Sequence, residues 1–241
     1  MNLSESIIAI FDRAVLSFIN LIAPKPCVVC GTKLNIGETV ICSICNAHLP
    51  RTHYQAKPYD NPMARMFWGR FKIEKAAALF YFEPQSEIGN IIYSAKYNNH
   101  PADAEYMGRQ VAREFQQNNF FDDIDAIVPV PLTRGRMFSR GYNQSLELAK
   151  GLRHITGIPI ISNAVGRVNY TDSQTHKNRW QRNDNVRNAF RVKDGSLIQG
   201  KHILIVDDVV TTGATITECA NEIMKSADVK ISVLSLGFTK Y

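Results

Sequence analysis

The chain has 241 residues, 45% of them hydrophobic and 21% charged. That balance excludes a disordered or fibrous polymer and suits one good-sized domain with a small module beside it. The formal net charge of +6 permits a polyanionic partner without requiring one.

Leu3, Ile7, Ile10, Phe11, Ala14, Phe18, Leu21 and Ile22 recur at helical spacing, which predicts an amphipathic helix over residues 3–22. Its polar face carries a single arginine and no lysine, so packing on the protein is favoured over lying on a membrane. No secretory signal is evident, because a basic first segment is missing and Asp12 and Arg13 interrupt the apolar run. The uncharged stretch from Ala14 to Pro24 is too short to span a bilayer. A cytoplasmic location without a transmembrane segment is expected.

Pro24 and Pro26 end that helix. Cys27-Val28-Val29-Cys30 follows and then, after eleven residues, Cys42-Ser43-Ile44-Cys45. Two CxxC knuckles supply four thiolates, and the loop between them is long enough to bring both pairs around a tetrahedral Zn2+. A redox pair and an iron–sulfur cluster are the alternatives. Four cysteines leave no open coordination position, so the expected role of the metal is structural. Paired CxxC cysteines also favour a reducing compartment over disulfides. His48 and His53 need no role as ligands, and Cys219 reads as packing.

Residues 51–75 look irregular. They hold Pro58, Pro62 and an aromatic cluster (Tyr54, Tyr59, Phe67, Trp68, Phe71) beside Arg65, Arg70 and Lys72. This is a linker or a cap over a site. Its aromatics either form a small core beneath the loop or stack bases. A strand is expected over Ala76–Phe82, then helices over about 85–97 and 102–117. Ala126–Pro131 reads as a strand ending in prolines, followed by a basic loop with Arg134, Arg136, Arg140 and Gly141 and a helix over Asn143–Arg153. Strand, Gly/Arg loop and helix put donors at a strand's C-terminal end, where open α/β sheets bind ligands. Arginine grips phosphate bidentately, so this loop is a candidate pyrophosphate site. Residues 166–188 are long, polar and without period, as expected of a lid over phosphates. Residues 131–193 contain twelve basic and three acidic side chains. A strand at Ala189–Val192 and a last strand at Val229–Phe238 complete the expected elements.

The most informative stretch is Ile203–Thr217. A short apolar strand, Ile203–Val206, leads to Asp207 and Asp208, then to Thr211, Thr212, Gly213, Ala214 and Thr215, and into a helix over Ala214–Lys225. Strand, tight loop and helix start bring backbone N–H groups and the helix dipole to bear on an anion. Carboxylates repel phosphate, but they accept hydrogen bonds from sugar hydroxyls or face a Mg2+ that the ligand carries. A ribose 5-phosphate has both ends. The stretch resembles the ribose-phosphate loop of type I phosphoribosyltransferases.

With Pro129-Val130-Pro131, Arg140-Gly141-Tyr142-Asn143-Gln144, Lys96-Tyr97, Gln174, Arg182 and Asn185 in the same order, nearly the whole chain resembles the ComF family. The resemblance implies a type I phosphoribosyltransferase-like α/β fold, a mostly parallel sheet flanked by helices, with a small N-terminal four-cysteine zinc-ribbon module. It implies an N-terminal helix over 1–23, a zinc module over 24–60, a linker or cap over 61–75 and the phosphoribosyltransferase-like domain over 76–241. The implied ligand is 5-phosphoribosyl 1-pyrophosphate with Mg2+, held by Asp207, Asp208, Val209, Val210, Thr211, Thr212, Gly213, Ala214 and Thr215. Arg140, Gly141, Asn143, Gln144 and Arg182 would face the pyrophosphate or close the lid. Members are associated with natural transformation, which implies single-stranded DNA and DNA-uptake proteins at the inner membrane face as partners. The rival expectations are a non-catalytic accessory that binds single-stranded DNA and a regulator that senses the ligand.

Two departures bear on chemistry. The 6-oxopurine salvage enzymes carry an acidic residue where this chain has Thr211, which disfavours hypoxanthine or guanine as acceptor. In several type I enzymes the hood that recognises the base follows the last core strand, where this sequence stops. An acceptor pocket is therefore expected from residues 51–75, the zinc module, the lid or a partner.

Overall fold

The computed structural model describes residues 25–83, 86–97, 100–168 and 189–239. The expected helix over 3–22, nearly all of the polar lid and Arg182 lie outside the described residues. The chain divides into two compact units, with the boundary between Leu49 and Pro50. Residues 50–60, grouped with the zinc module on sequence, belong to the second unit. The Pro50 carbonyl accepts from the Tyr81 amide at 2.9 Å and the Leu79 carbonyl from the Thr52 amide at 3.0 Å, which ties them to a core strand.

In the first unit the chain turns at Gly31, whose φ of +73° lies in the left-handed region. A bridge between Pro26 and Lys33 closes that turn. Helix α1, Ser43–His48, follows, capped by Cys42. Leu34, Val40, Ile41 and Leu49 are buried with three of the cysteines. So small an apolar core is marginal without a covalent or metal staple.

The second unit begins with a 3-10 turn, Tyr54–Ala56, and helix α2, Pro62–Phe67. Strand β1 is Ala76–Tyr81; helices α3 and α4 are Glu87–Tyr97 and Pro101–Gln116; strand β2 is Ala126–Pro129. Helices α5 and α6, Arg134–Arg140 and Gln144–Thr156, precede the short strands β3, Val165–Arg167, and β4, Phe190–Val192. Strand β5 is His202–Val210, helix α7 Ala214–Ser226 and strand β6 Lys230–Phe238. The main sheet has the order β1-β6-β5-β2 and every pairing in it is parallel. An isolated bridge from Ile160 to Ile127 continues it beyond β2. Strands β3 and β4 form a separate antiparallel pair.

Parallel strands need crossovers that cover both faces, so their sequences are apolar without alternation. Ile203–Val206 are wholly buried, as are Ile231, Val233 and Leu234. Helices α4 and α6 pack backbone to backbone through Gly108 and Gly151. A Cβ at either would run into a carbonyl of the other helix. This close approach seats the start of α6 beside the end of β5.

Two local expectations are corrected. The basic segment after β2 is a helix, not a loop: the Thr133 hydroxyl caps it by accepting from the Arg136 amide, and Gly141, at φ +76°, ends it. The segment over 51–75 is also ordered into α2. Asn61 caps this helix, accepting from the Met63 and Ala64 amides at 3.0 Å, and Pro62 occupies its first turn.

The N-terminal end of the parallel strands buries a polar cluster. Lys75, 4% exposed, pairs with Asp123 and donates to the Phe120 carbonyl at 3.2 Å. His202 lies 3.2 Å from the other Asp123 oxygen and 2.8 Å from the Ser232 hydroxyl. Burial holds the His202 imidazole below its ordinary value, with Lys75 adding to the effect and Asp123 opposing it. Folded His202 therefore resists a proton that the unfolded chain accepts, so stability is lost as pH falls below the unfolded value of about 6.5. The melting temperature is expected to decline between about pH 7.5 and about pH 5.5. His202→Gln should flatten that slope in thermal melts, and an unchanged slope would remove His202 as its source.

Candidate functional site

Strand β5 does not stop where its apolar run ends. Its pairing with β6 continues through Asp207–Ser235 and Val209–Gly237 to Val210–Phe238, so the acidic pair sits inside the strand's last stretch rather than in the loop. Both aspartates are half-buried. Asp207 Oδ1 accepts from the Ser145 hydroxyl and from the Asp208 amide, each at 2.9 Å. Asp208 Oδ1 accepts from the Val209 amide at 2.7 Å. Val209 is half-buried and Val210 buried.

Ser145 is delivered by the first turn of α6. Asn143 caps that helix, accepting from the Ser145 amide at 3.1 Å, while its Nδ2 donates to the Val130 carbonyl at 3.0 Å. One capping residue thus ties α6 to the end of β2, and the next residue but one ties it to the end of β5. Asn143 and Gln144 are buried, 7% and 2% exposed, and the bonds described here run within the protein. Gln144 Oε1 accepts from Arg140 Nη1 at 3.0 Å, so it positions the arginine that ends α5. Its Nε2 is buried without a partner among the described residues. Gln144 and Asp208 both border a void of about 10 Å³.

Beyond β5 the backbone turns at Thr211, Thr212 and Gly213 into α7. Thr211, Thr212 and Ala214 are exposed and Thr215 is half-buried. The capping position of α7 is Gly213, which has no side-chain acceptor. The Thr212 hydroxyl accepts only weakly from the Ala214 amide, at 3.4 Å. A 13-residue helix with its first amides so lightly occupied presents donors and a positive dipole end to an anion. The Met66–Phe67 turn of α2 rests on this loop, and Arg70 Nη1 donates to the Thr212 carbonyl at 2.7 Å.

Further positive groups, Arg134, Arg136 and Arg140, lie in α5 after β2. Arg167, in β3, is held below the ordinary guanidinium value by burial, with Arg136 adding to the effect and Asp207 opposing it. Arg167 therefore lies within the electrostatic reach of both Arg136 and Asp207. Sequence reasoning singled out Asp207 to Thr215 and the Arg140 segment, placed Arg70 in a cap without linking it to the threonine loop, and did not bring Ser145 into the site. A Ser–Asp hydrogen bond across 62 residues leaves no local signature.

In the first unit, the sulfurs of Cys27, Cys30, Cys42 and Cys45 all lie within 4.8 Å of one another. Cys30 and Cys42 sulfurs are 3.8 Å apart, the edge of a tetrahedron with Zn–S of about 2.3 Å. Backbone amides stabilise the sulfurs: Cys42 N–H points at Cys27 Sγ at 3.3 Å and Cys45 N–H at Cys42 Sγ at 3.4 Å. No histidine joins the cluster among the described residues. Cys219 is fully buried, and burial pushes its thiol up to about 12.

Gly213 adopts φ +72°, and a Cβ there would meet Phe67 Cε1 at 2.8 Å and Met66 Sδ at 2.9 Å. Gly213→Ala is expected to destabilise the fold by about 1–3 kcal/mol, from left-handed strain plus overpacking. Chemical denaturation measures the loss, and a stability equal to that of the parent would contradict the tight seating of α2 on the loop.

A family model for the phosphoribosyl transferase domain matches residues 95–236. The chain is similar to the DNA utilization protein YhgH of Salmonella typhimurium, 28% identical over 226 residues that cover 90% of this chain and 98% of that one. It is also similar to competence protein F of Haemophilus influenzae, 35% identical over 114 residues, 47% of this chain and 50% of that one. Among solved structures, the allosteric regulatory enzyme of purine biosynthesis matches at 19% identity and a TM-score of 0.37, over 54% of this chain. The match spans 25% of that enzyme's chain, and the likeness carries no further argument.

Proposed function

The chain belongs to the phosphoribosyl transferase domain family, of the ComF type, and from that premise we propose that it binds 5-phosphoribosyl 1-pyrophosphate and transfers the phosphoribosyl group. The carrying observation is the pairing of lightly capped amides at Gly213–Thr215 with two carboxylates held at the end of the same strand. Thr211, Thr212, Gly213, Ala214 and Thr215 cradle the 5-phosphate. Asp207 and Asp208 accept from the ribose hydroxyls, directly or through Mg2+, which when bound would neutralise charge on the pyrophosphate. Ser145 orients Asp207. Arg140, ending α5 before Gly141, faces the pyrophosphate with Arg136 and Arg167 near; Arg182, expected to join it, lies outside the described residues. Water exclusion at closure strengthens each of these contacts as charge develops on the ribose. Thr211 cannot serve as an acid or base toward a purine ring, which points away from 6-oxopurines.

The names of the similar proteins set them in DNA utilization and competence, and we extend that setting to this chain, with DNA-uptake proteins as partners on the cytoplasmic side of a membrane. Among the described residues no helix is long and apolar enough to cross one. A second reading, a single-stranded-DNA accessory, draws on Phe138. Its ring is 94% exposed in a helix that also carries Arg134 and Arg136, an arrangement suited to base stacking beside phosphate.

Asp208→Asn is expected to weaken binding of 5-phosphoribosyl 1-pyrophosphate at least about tenfold, the loss of one charge-assisted contact, with the melting temperature kept. Equal affinity by calorimetry would overturn the sugar-phosphate assignment. Single-stranded DNA binding that falls steeply with salt and survives in the variant would support the accessory reading.

For the four-cysteine cluster we propose structural Zn2+. The sulfur spacing and the two N–H···S contacts fit it, and no coordination position is left for chemistry. Elemental analysis is expected to find about one zinc per chain. A chelator should abolish hydrogen-exchange protection in residues 25–49 and leave the parallel sheet protected. Purified protein without zinc but with that protection intact would reject the assignment.

A further inference from the structure

A cleft of about 570 Å³ opens beside the threonine loop, within the range of about 300–1,000 Å³ typical of small-molecule sites. Its floor is aromatic. Tyr81 ends β1 and Phe238 ends β6, and Tyr54 meets both rings edge-on, at centroid distances of 5.7 and 5.8 Å. Pro62 and Met66 of α2 form a wall, and Thr212 and Arg70 form the border with the loop. Arg70 is exposed, and the Thr212 carbonyl holds its guanidinium at this mouth, leaving other N–H donors of the fork for a ligand. Burial pushes the Tyr54 hydroxyl above its ordinary value, and Tyr81 adds to that, so this wall stays neutral.

The sheet order sets what reaches the cleft. It lies over the ends of β1, β6 and β5, whereas α5 and its arginines follow β2 at the other side of β5. A ribose anchored on Asp207 and Asp208 therefore has the basic helix on one flank and the aromatic cleft on the other. Displacement at the anomeric carbon wants its nucleophile and leaving group on opposite sides.

We propose that this cleft is the acceptor site, and that the acceptor is a planar nitrogen heterocycle bearing a carboxylate. The inference rests on the phosphoribosyl reading above. The ring rests on the aromatic floor, chiefly against half-buried Tyr81 with Tyr54 and Phe238 beneath, and the carboxylate pairs with Arg70 at the mouth. In the transfer, the ring nitrogen's lone pair forms a bond to the anomeric carbon. The C–O bond to pyrophosphate breaks and pyrophosphate leaves with that electron pair. A proton on the nitrogen, where there is one, passes to pyrophosphate or water. Residues 54–70, which precede β1 in the chain, thereby do the work of a base-recognising hood over the C-terminal ends of the strands.

The test uses the full chain, saturating 5-phosphoribosyl 1-pyrophosphate at a temperature low enough to suppress turnover, and two isosteric probes, nicotinate and nicotinamide, followed by ligand-observed NMR. Nicotinate is expected to bind at least about tenfold tighter than nicotinamide, the value of one charge-assisted pair. Pro62→Trp, at an exposed position away from Gly213, should abolish binding of both probes while leaving the affinity for 5-phosphoribosyl 1-pyrophosphate within about twofold. Arg70→Met should erase the preference for nicotinate and retain weak binding of both. Equal binding of the two probes to the parent protein, binding of neither, or nicotinate binding that persists in Pro62→Trp would each overturn the acceptor assignment. Failure of the parent to bind 5-phosphoribosyl 1-pyrophosphate would instead overturn the reading beneath it.

Discussion

The hydrogen bond from Ser145 to Asp207 is the contact on which the site's geometry depends. It joins the first turn of one crossover helix to the last residues of the central strand. Without it, the carboxylate would lose the bond that fixes it to a neighbouring element, beside its local bond to the Asp208 amide. With it, the same helix that is fastened to β2 by Asn143 also sets the angle of the acidic pair. Its reach depends in turn on the glycine contact between α4 and α6, because a wider separation of those helices would move the start of α6. The chain of dependence thus runs from two glycines in helix interiors, through backbone packing, to one oxygen at the strand end.

A second contact sets the loop from the other side. Gly213 has a left-handed φ, which a helix entry at this angle requires, and it lacks a Cβ where Met66 and Phe67 press. Phe67 is fully buried, so α2 is part of the core and not a loose cap. The loop is consequently held between α2 and the sheet, with Arg70 bonded to its carbonyl. Preorganisation of this kind reduces the ordering cost of binding an anion, because the amides are already aimed before the ligand arrives.

The sequence made some of this legible for clear reasons. The apolar run before Asp207 announced a buried parallel strand, and Thr-Thr-Gly announced the turn into a helix. Paired CxxC motifs announced a four-sulfur cluster, because the ligands of each half lie within one turn. The end of β5 was misjudged because strand pairing is non-local: Ser235, Gly237 and Phe238 hold the acidic segment extended against its polar composition. Helix α5 was hidden by its charge, although Thr133 and Gly141 stood at its two ends. Helix α2 had its signal in Asn61-Pro62, a cap followed by a first-turn proline, which the surrounding prolines and aromatics obscured. Ser145 had no such signal, since it acts on a partner far away in the chain; Arg70 and Arg167 stood in segments read as a cap and a lid, but nothing local announced the partners that they meet.

Charge balance explains how an acidic pair could coexist with the proposed phosphate site. Asp207 lowers the local potential, but Arg167 lies within its field, and the start of α7 contributes the positive end of a helix dipole. The negative groups are confined to the strand, where a sugar's hydroxyls need acceptors. The positive ones flank it, where phosphate needs donors. Thr211, the first residue after the strand, keeps this division sharp, since a third carboxylate there would extend the negative region into the phosphate cradle. A bare phosphate satisfies half of such a site, and so does a neutral sugar. Only a ligand carrying both groups at a fixed separation would engage the whole, and this is the physical reason the proposed ligand is a sugar phosphate rather than either part alone.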